Sequence, residues 1–158
     1  MKNRTFLTSS IVTLLSALLI AGCAGGSGSS SSAPLNFGDG SAGHLMYMAG
    51  TRKGAGDWEQ VKIYADKIVE SLGAKGKEQN AGLKAFPDTK TDVWNYGALN
   101  NASNALITKA EALEKLGDIE GAKAVYNDII ENYSYGQSLI LGKWYKAGEV
   151  AKKNLSKL

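Results

Sequence analysis

Two Gly-Asp pairs, Gly56-Asp57 and Gly117-Asp118, each stand between runs of apolar residues spaced three and four apart. That spacing gathers the side chains on one side of a helix, whereas a half-buried strand would alternate at every second residue. Trp58, Val61, Tyr64, Ala65, Ile68, Val69 and Leu72 form one stripe. Asp57 is its expected N-cap and Gly73 its expected end. Leu99, Ala102, Leu106, Ala110, Leu113 and Leu116 form a second stripe, ending at Gly117. Asp118 opens a third, with Ala122, Val125, Tyr126, Ile129 and Ile130 facing in. An earlier helix is expected over about 42–53, carrying Leu45, Met48 and Ala49. A last one is expected over about 136–155, carrying Ile140, Trp144, Ala147, Ala151 and Leu155. No stretch shows sustained strand alternation, so the expected fold class is all-α, built of antiparallel helical hairpins.

The two Gly-Asp segments are copies. Gly56-Asp57-Trp58-Glu59-Gln60-Val61-Lys62 aligns with Gly117-Asp118-Ile119-Glu120-Gly121-Ala122-Lys123, and Ile68-Val69-Glu70 aligns with Ile129-Ile130-Glu131. Each copy follows a short apolar helix and opens another, the pattern of a helical hairpin. The second unit resembles a tetratricopeptide repeat. Leu106, Ala110 and Leu113 fall on that family's large, small and large positions. Gly117-Asp118 is its turn, and Ala122 and Tyr126 take the small and aromatic positions of the second helix. Leu45, Met48, Ala49, Gly56-Asp57, Val61, Ala65 and Ile68 match more loosely. The resemblance implies about two repeats with the C-terminal helix as a cap. Ser134 stands where the family has Pro, and an insertion at about 74–96 sets the two units 61 positions apart (Gly56 to Gly117).

The N-terminus reads as an address. Lys2 and Arg4 precede an apolar run from Phe6 to Ile20. That run is short of the roughly 20 residues a spanning helix needs and fits a signal-peptide core. Leu19-Ile20-Ala21-Gly22-Cys23 follows, with Cys23 the sole cysteine of the chain. This segment resembles the lipobox of bacterial lipoproteins. The resemblance implies cleavage before Cys23 and a diacylglycerol carried as a thioether on its sulfur, with palmitate among the acyl chains. Ala24 next to it implies, in enteric-type bacteria, export to the outer membrane facing the periplasm. The expected organisation is therefore a leader over 1–22, a lipidated Cys23 with a Gly/Ser-rich tether over 23–40, and a helical domain over 41–158. Losing Lys2 and Arg4 with the leader takes two from the formal charge of +3, which leaves no electrostatic footprint for nucleic acid.

No catalytic constellation emerges. His44, the only histidine, lies at the start of the domain with no acid expected beside it. One Cys and one His cannot build a zinc site, and no metal or cofactor is expected. Glu111 and Lys115 read as an i, i+4 pair on a solvated face, and Glu111, Glu114, Asp118 and Glu120 lack the apolar surroundings that would raise a carboxyl pKa. Lys75 and Lys77 fall in a Gly-rich stretch without the hydroxyl of a phosphate-binding loop.

The aromatics carry the functional expectation. Trp94 lies in the insertion, and Trp144 and Tyr145 are adjacent, so the two cannot both face one core. The tetratricopeptide resemblance implies a peptide-binding face along the first helices. There Met46, Tyr47, Lys53, Asn104 and Ile107 would form a mixed apolar and polar groove, with Trp94, Trp144 and Tyr145 as anchors. The expected function is a non-catalytic interaction module in the cell envelope, tethered by acyl chains on Cys23. Its partner would be an envelope protein or peptide, and self-association stays open. The competing expectation is a glycan- or peptidoglycan-binding lipoprotein.

Overall fold

The computed structural model describes residues 33–158, and the leader, Cys23 and the tether up to residue 32 lie outside the described residues. The described chain is all-α apart from one small hairpin. Its elements are α1 (Ala42–Gly54), α2 (Trp58–Ala81), a single 3-10 turn (Val93–Tyr96), α3 (Gly97–Leu116), α4 (Ile119–Asn132), β1 (Gln137–Ile140), β2 (Lys143–Lys146) and α5 (Ala147–Leu155). Helices α1 and α2 form one hairpin and α3 and α4 a second. They join along α2 and α3, the most extensive interface in the fold.

The two copies of the Gly-Asp segment have the same local structure. Gly56 and Gly117 both take left-handed backbone, φ +75° and +84°. Asp57 and Asp118 are N-caps with φ/ψ of −86°/74° and −84°/73°. Each caps by accepting a backbone N–H three residues on, from Gln60 at 3.2 Å and from Gly121 at 2.9 Å. Each aspartate's own N–H donates back to a carbonyl five residues earlier, Arg52 and Leu113 respectively. This closes the preceding helix in a Schellman-type arrangement that places glycine in the left-handed position.

Two buried clusters meet along α2. Leu45 and Ala49 of α1 pack with Tyr64, Ala65 and Ile68 of α2 and Ala105 of α3. Leu99, Leu106 and Leu113 of α3 pack with Tyr126 and Ile129 of α4, with Tyr133, and with Ala147 and Ala151 of α5. Val69 and Leu72 touch both clusters.

Three expectations are corrected. First, α2 runs through Gly73 to Ala81. Glycine ends a helix where the chain enters the left-handed region, and Gly73 does not do so. Its bare Cα instead admits a neighbour: a Cβ at Gly73 would lie 3.2 Å from the Tyr133 hydroxyl, and one at Gly76 would lie 3.1 Å from the Tyr133 ring. Lys75 and Lys77 are thus helical, and Lys77 pairs with Asp128 at 3.0 Å. The expected insertion resolves into the last turns of α2, a loop over 82–92 and the 3-10 turn.

Second, the helix expected over 136–155 begins only at Ala147. The preceding residues form an antiparallel hairpin with Gln137 opposite Lys146, Leu139 opposite Trp144 and Ile140 opposite Lys143. Its two-residue loop, Leu141-Gly142, has φ of +49° and +76°. Two consecutive positive φ values match the right-handed twist of a hairpin and forbid a helix. The spacing of Ile140, Trp144 and Ala147 is helical, yet the hairpin sets Ile140 and Trp144 on opposite faces, Trp144 lying opposite Leu139.

Third, residues 33–40, expected as the last part of the tether, dock on the helices. The Asn36 N–H donates to the Tyr64 hydroxyl at 2.8 Å. The Gln60 side-chain amide donates to the Ala33 carbonyl at 2.7 Å. Phe37 packs edge-on against Tyr64, with ring centroids 5.6 Å apart.

Candidate functional site

One side chain of α3 organises the functional surface. Asn100 accepts the Gln137 backbone N–H at 2.9 Å and donates its amide to the Val93 carbonyl at 2.9 Å. It thereby pins the start of β1 and the 3-10 turn to the same helix. Trp94 and Trp144 are brought edge to face as a result, with centroids 5.7 Å apart and ring planes at 62°. The Gln137 side chain, buried, reaches the Pro87 carbonyl at 2.9 Å and ties in the 82–92 loop.

A groove of about 650 Å3 runs between α3, the β-hairpin and α5. Asn104, Ile107 and Glu111, spaced three and four apart, supply its α3 floor. Trp144 and Tyr145 form one wall, and Val150, Lys153 and Asn154 of α5 the other. A smaller depression of about 370 Å3 shares Asn104 and Trp144 with it and extends it to Trp94. At the opposite end, Lys53 and Trp58 line a third cavity, of about 280 Å3, which shares Glu111 and Asn154. The three lie in succession along α3 and share lining residues; together they are the channel referred to below.

The structure brings together Lys53, Trp94, Asn104, Ile107, Trp144 and Tyr145 of the expected binding residues. It does not bring in Met46 or Tyr47. Met46 packs against the α1–α2 cluster, and Tyr47 is 71% exposed, lining none of these cavities. Cys23 lies outside the described residues. The α5 wall, with Lys153 and Asn154, was missed because its helix starts only after the hairpin.

The acidic groups beside the channel are occupied. Glu111 is ion-paired with Lys53 across α1 and α3, not with Lys115 as expected. Glu114 accepts the Tyr126 hydroxyl at 2.6 Å, and that hydroxyl accepts the Asn154 amide at 3.2 Å. Burial first, then the hydrogen bond to Glu114, holds the Tyr126 phenol protonated well above its ordinary range. Burial likewise pushes Tyr133 up to about 12. His44 does have an acid beside it, contrary to expectation. The Asp39 carboxyl is lowered chiefly by the Ser41 backbone N–H and further by the charge of His44. Among the described residues, no cluster of three or more His, Cys, Asp or Glu side chains could hold a metal ion, and no helix is long and apolar enough to cross a membrane. The channel offers aromatic faces, amide groups and lysines.

No protein-family model, curated protein or solved structure matches this chain.

Proposed function

We infer that this chain is a non-catalytic interaction module of a bacterial envelope, held at a membrane by acyl chains on Cys23. In this reading it captures an extended protein segment in the channel along α3, and its paired hairpins are a degenerate tetratricopeptide array. The observation that carries the reading is the convergence of Trp94, Trp144, Tyr145, Ile107 and Asn104, from three separate stretches of chain, on one channel. Large amphipathic rings beside amides, at the edge of a cleft, are how a surface binds an extended partner with few ordered side chains. The rim lysines and the paired Glu111 and Glu114 leave no reacting geometry that the reading must explain.

The glycan-binding alternative calls for coplanar exposed rings on which sugar faces could stack. The Trp94 and Trp144 planes meet at 62°, which supports the peptide reading over the glycan one.

The test is crosslinking capture from intact envelopes, comparing wild type with a Trp94→Ala, Trp144→Ala double variant matched for helicity by circular dichroism. The expected result is a discrete protein partner that the variant loses. Absence of a protein partner, with pelleting on purified cell wall retained, would replace this reading by the glycan-binding one.

A further inference from the structure

The apex of the β-hairpin violates two local preferences at once. Leu141 occupies left-handed backbone at φ +49°, where a residue with a bulky side chain is an outlier and Asn is the ordinary choice before Gly142. It is also 98% exposed, so its isobutyl group is fully hydrated. Leu139 and Ile140 beside it are each about half exposed, at 49% and 47%. Three consecutive aliphatic side chains are thus exposed around an unfavourable backbone position: Leu139 and Ile140 also line the smaller depression, and Ile140 the groove, whereas Leu141 stands clear of both.

What lies beneath the apex is layered. Trp144 is the cross-strand partner of Leu139, and Trp94, 67% exposed, stands against Trp144. Tyr145 is the next residue on β2 and also partly exposed. Lys143 lies opposite Ile140, at the level of the tip, while Lys146, at the base of the strand, pairs with Glu149 at 3.4 Å and stands over the Phe86 ring. An aliphatic tip above an aromatic collar follows the order of acyl chain and interface at a bilayer surface, and a lysine stem as long as that of Lys143 can reach back from the tip to an anionic headgroup.

The geometry points to an insertion of the Leu139-Ile140-Leu141 tip into the acyl–headgroup boundary of an anionic bilayer, with Trp94, Trp144 and Tyr145 at the interface. Leu141 in this role is hydrated only while the tip is out of the membrane. Proximity rests on the lipidation reading: Ala33 stands ten positions after Cys23, a contour of at most roughly 35 Å. The tip would add a second attachment point, holding the domain in one orientation on the surface.

The full chain, produced in a bacterium that processes lipoproteins and reconstituted in phosphatidylethanolamine–phosphatidylglycerol vesicles, tests this. Tryptophan emission is compared with and without brominated acyl chains, for wild type and Leu141→Asn. Asn suits the backbone of the loop, so the variant keeps the hairpin. Wild-type emission is expected to shift to the blue and to be quenched by the brominated lipid, and the variant to lose about half of that quenching. Equal quenching in the two proteins, or none in wild type, overturns the insertion. So does a crosslinked dimer that only wild type forms without quenching, which would assign the tip to a second copy of the chain. Acylation of Cys23 is read by mass on the same preparation, and peptide capture by the channel is read on the same variant. Loss of either leaves the comparison between wild type and variant intact, so failure of the function reading and of the tip reading are separable.

Discussion

The Tyr133 hydroxyl donates to the Gly73 carbonyl at 3.1 Å, joining the end of α4 to the middle of α2 across 60 positions of sequence. The same ring fills the space left by the missing side chains of Gly73 and Gly76. Tyr133→Phe removes one buried hydrogen bond, while the Gly73 carbonyl keeps its helical partner. A loss of about 1 kcal/mol is expected in urea denaturation, with the fold retained.

Tyr126 and Tyr133, both buried, also set an alkaline limit. Tyr133 is pushed up to about 12 and Tyr126 is raised as well, so above the ordinary phenol value of about 10 the unfolded chain loses these protons first. The folded state then binds more protons than the unfolded state, and stability falls as pH rises. Urea midpoints are expected to be flat in this respect below about pH 9, to fall from about pH 10 upward, and to fall less steeply in Tyr133→Phe.

Gly76→Ala and Gly50→Ala should differ in sign. A Cβ at Gly76 would lie 3.1 Å from the Tyr133 ring, 3.2 Å from the Ala102 Cβ and 3.3 Å from the Ala98 carbonyl, so α2 and α3 would have to separate. Overpacking of this kind costs about 1–3 kcal/mol and outweighs the roughly 1 kcal/mol by which Ala favours a helix. At Gly50, inside α1, a Cβ meets nothing within 4 Å. That variant is expected to gain up to about 1 kcal/mol. Thermal midpoints that move in the same direction for both would contradict the close approach of α2 and α3.

Asp57→Ala and Asp118→Ala each remove one N-cap bond, and each should lose about 1 kcal/mol. Because the two turns share one geometry and lie in different hairpins, the double variant should lose the sum. A double variant no weaker than either single would mean that the caps are not independent.

For the free protein, Leu141→Asn relieves left-handed backbone and hydrated apolar surface together. A stability gain of roughly 0.5–1 kcal/mol is expected in the absence of lipid. An unchanged or lowered midpoint would place Leu141 among the structural residues of the hairpin.

The parts legible in the sequence are those governed by neighbours a few positions apart. Asp57 and Asp118 announced their helices because capping is local. The stripes through Leu106 and Tyr126 announced their buried faces because the helical period is local. Gly73 misled because its absent side chain serves Tyr133, 60 positions away. Ile140 and Trp144 misled because their spacing is that of one helix face, while the hairpin sets them on opposite faces, and the deciding signal, Gly142 after an aliphatic run, spans only two residues. At the site, Trp94, Trp144 and Tyr145 stood out as aromatics without a core to enter. Their convergence depends on Asn100 tying Val93 and Gln137 to one helix turn, which no pattern in the sequence encodes.

Residues 33–37 enter the fold over α2, with the Ala33 carbonyl on Gln60 and the Asn36 N–H on Tyr64. A pull arriving from upstream therefore loads the middle of the bundle and bypasses the end of α1. Gln60 and Tyr64 sit one turn apart on the longest helix, whose flank is buried against α3, so the strain is shared along the stiffest seam in the molecule. Such a pull would meet α2, held by α3, before it reached α1.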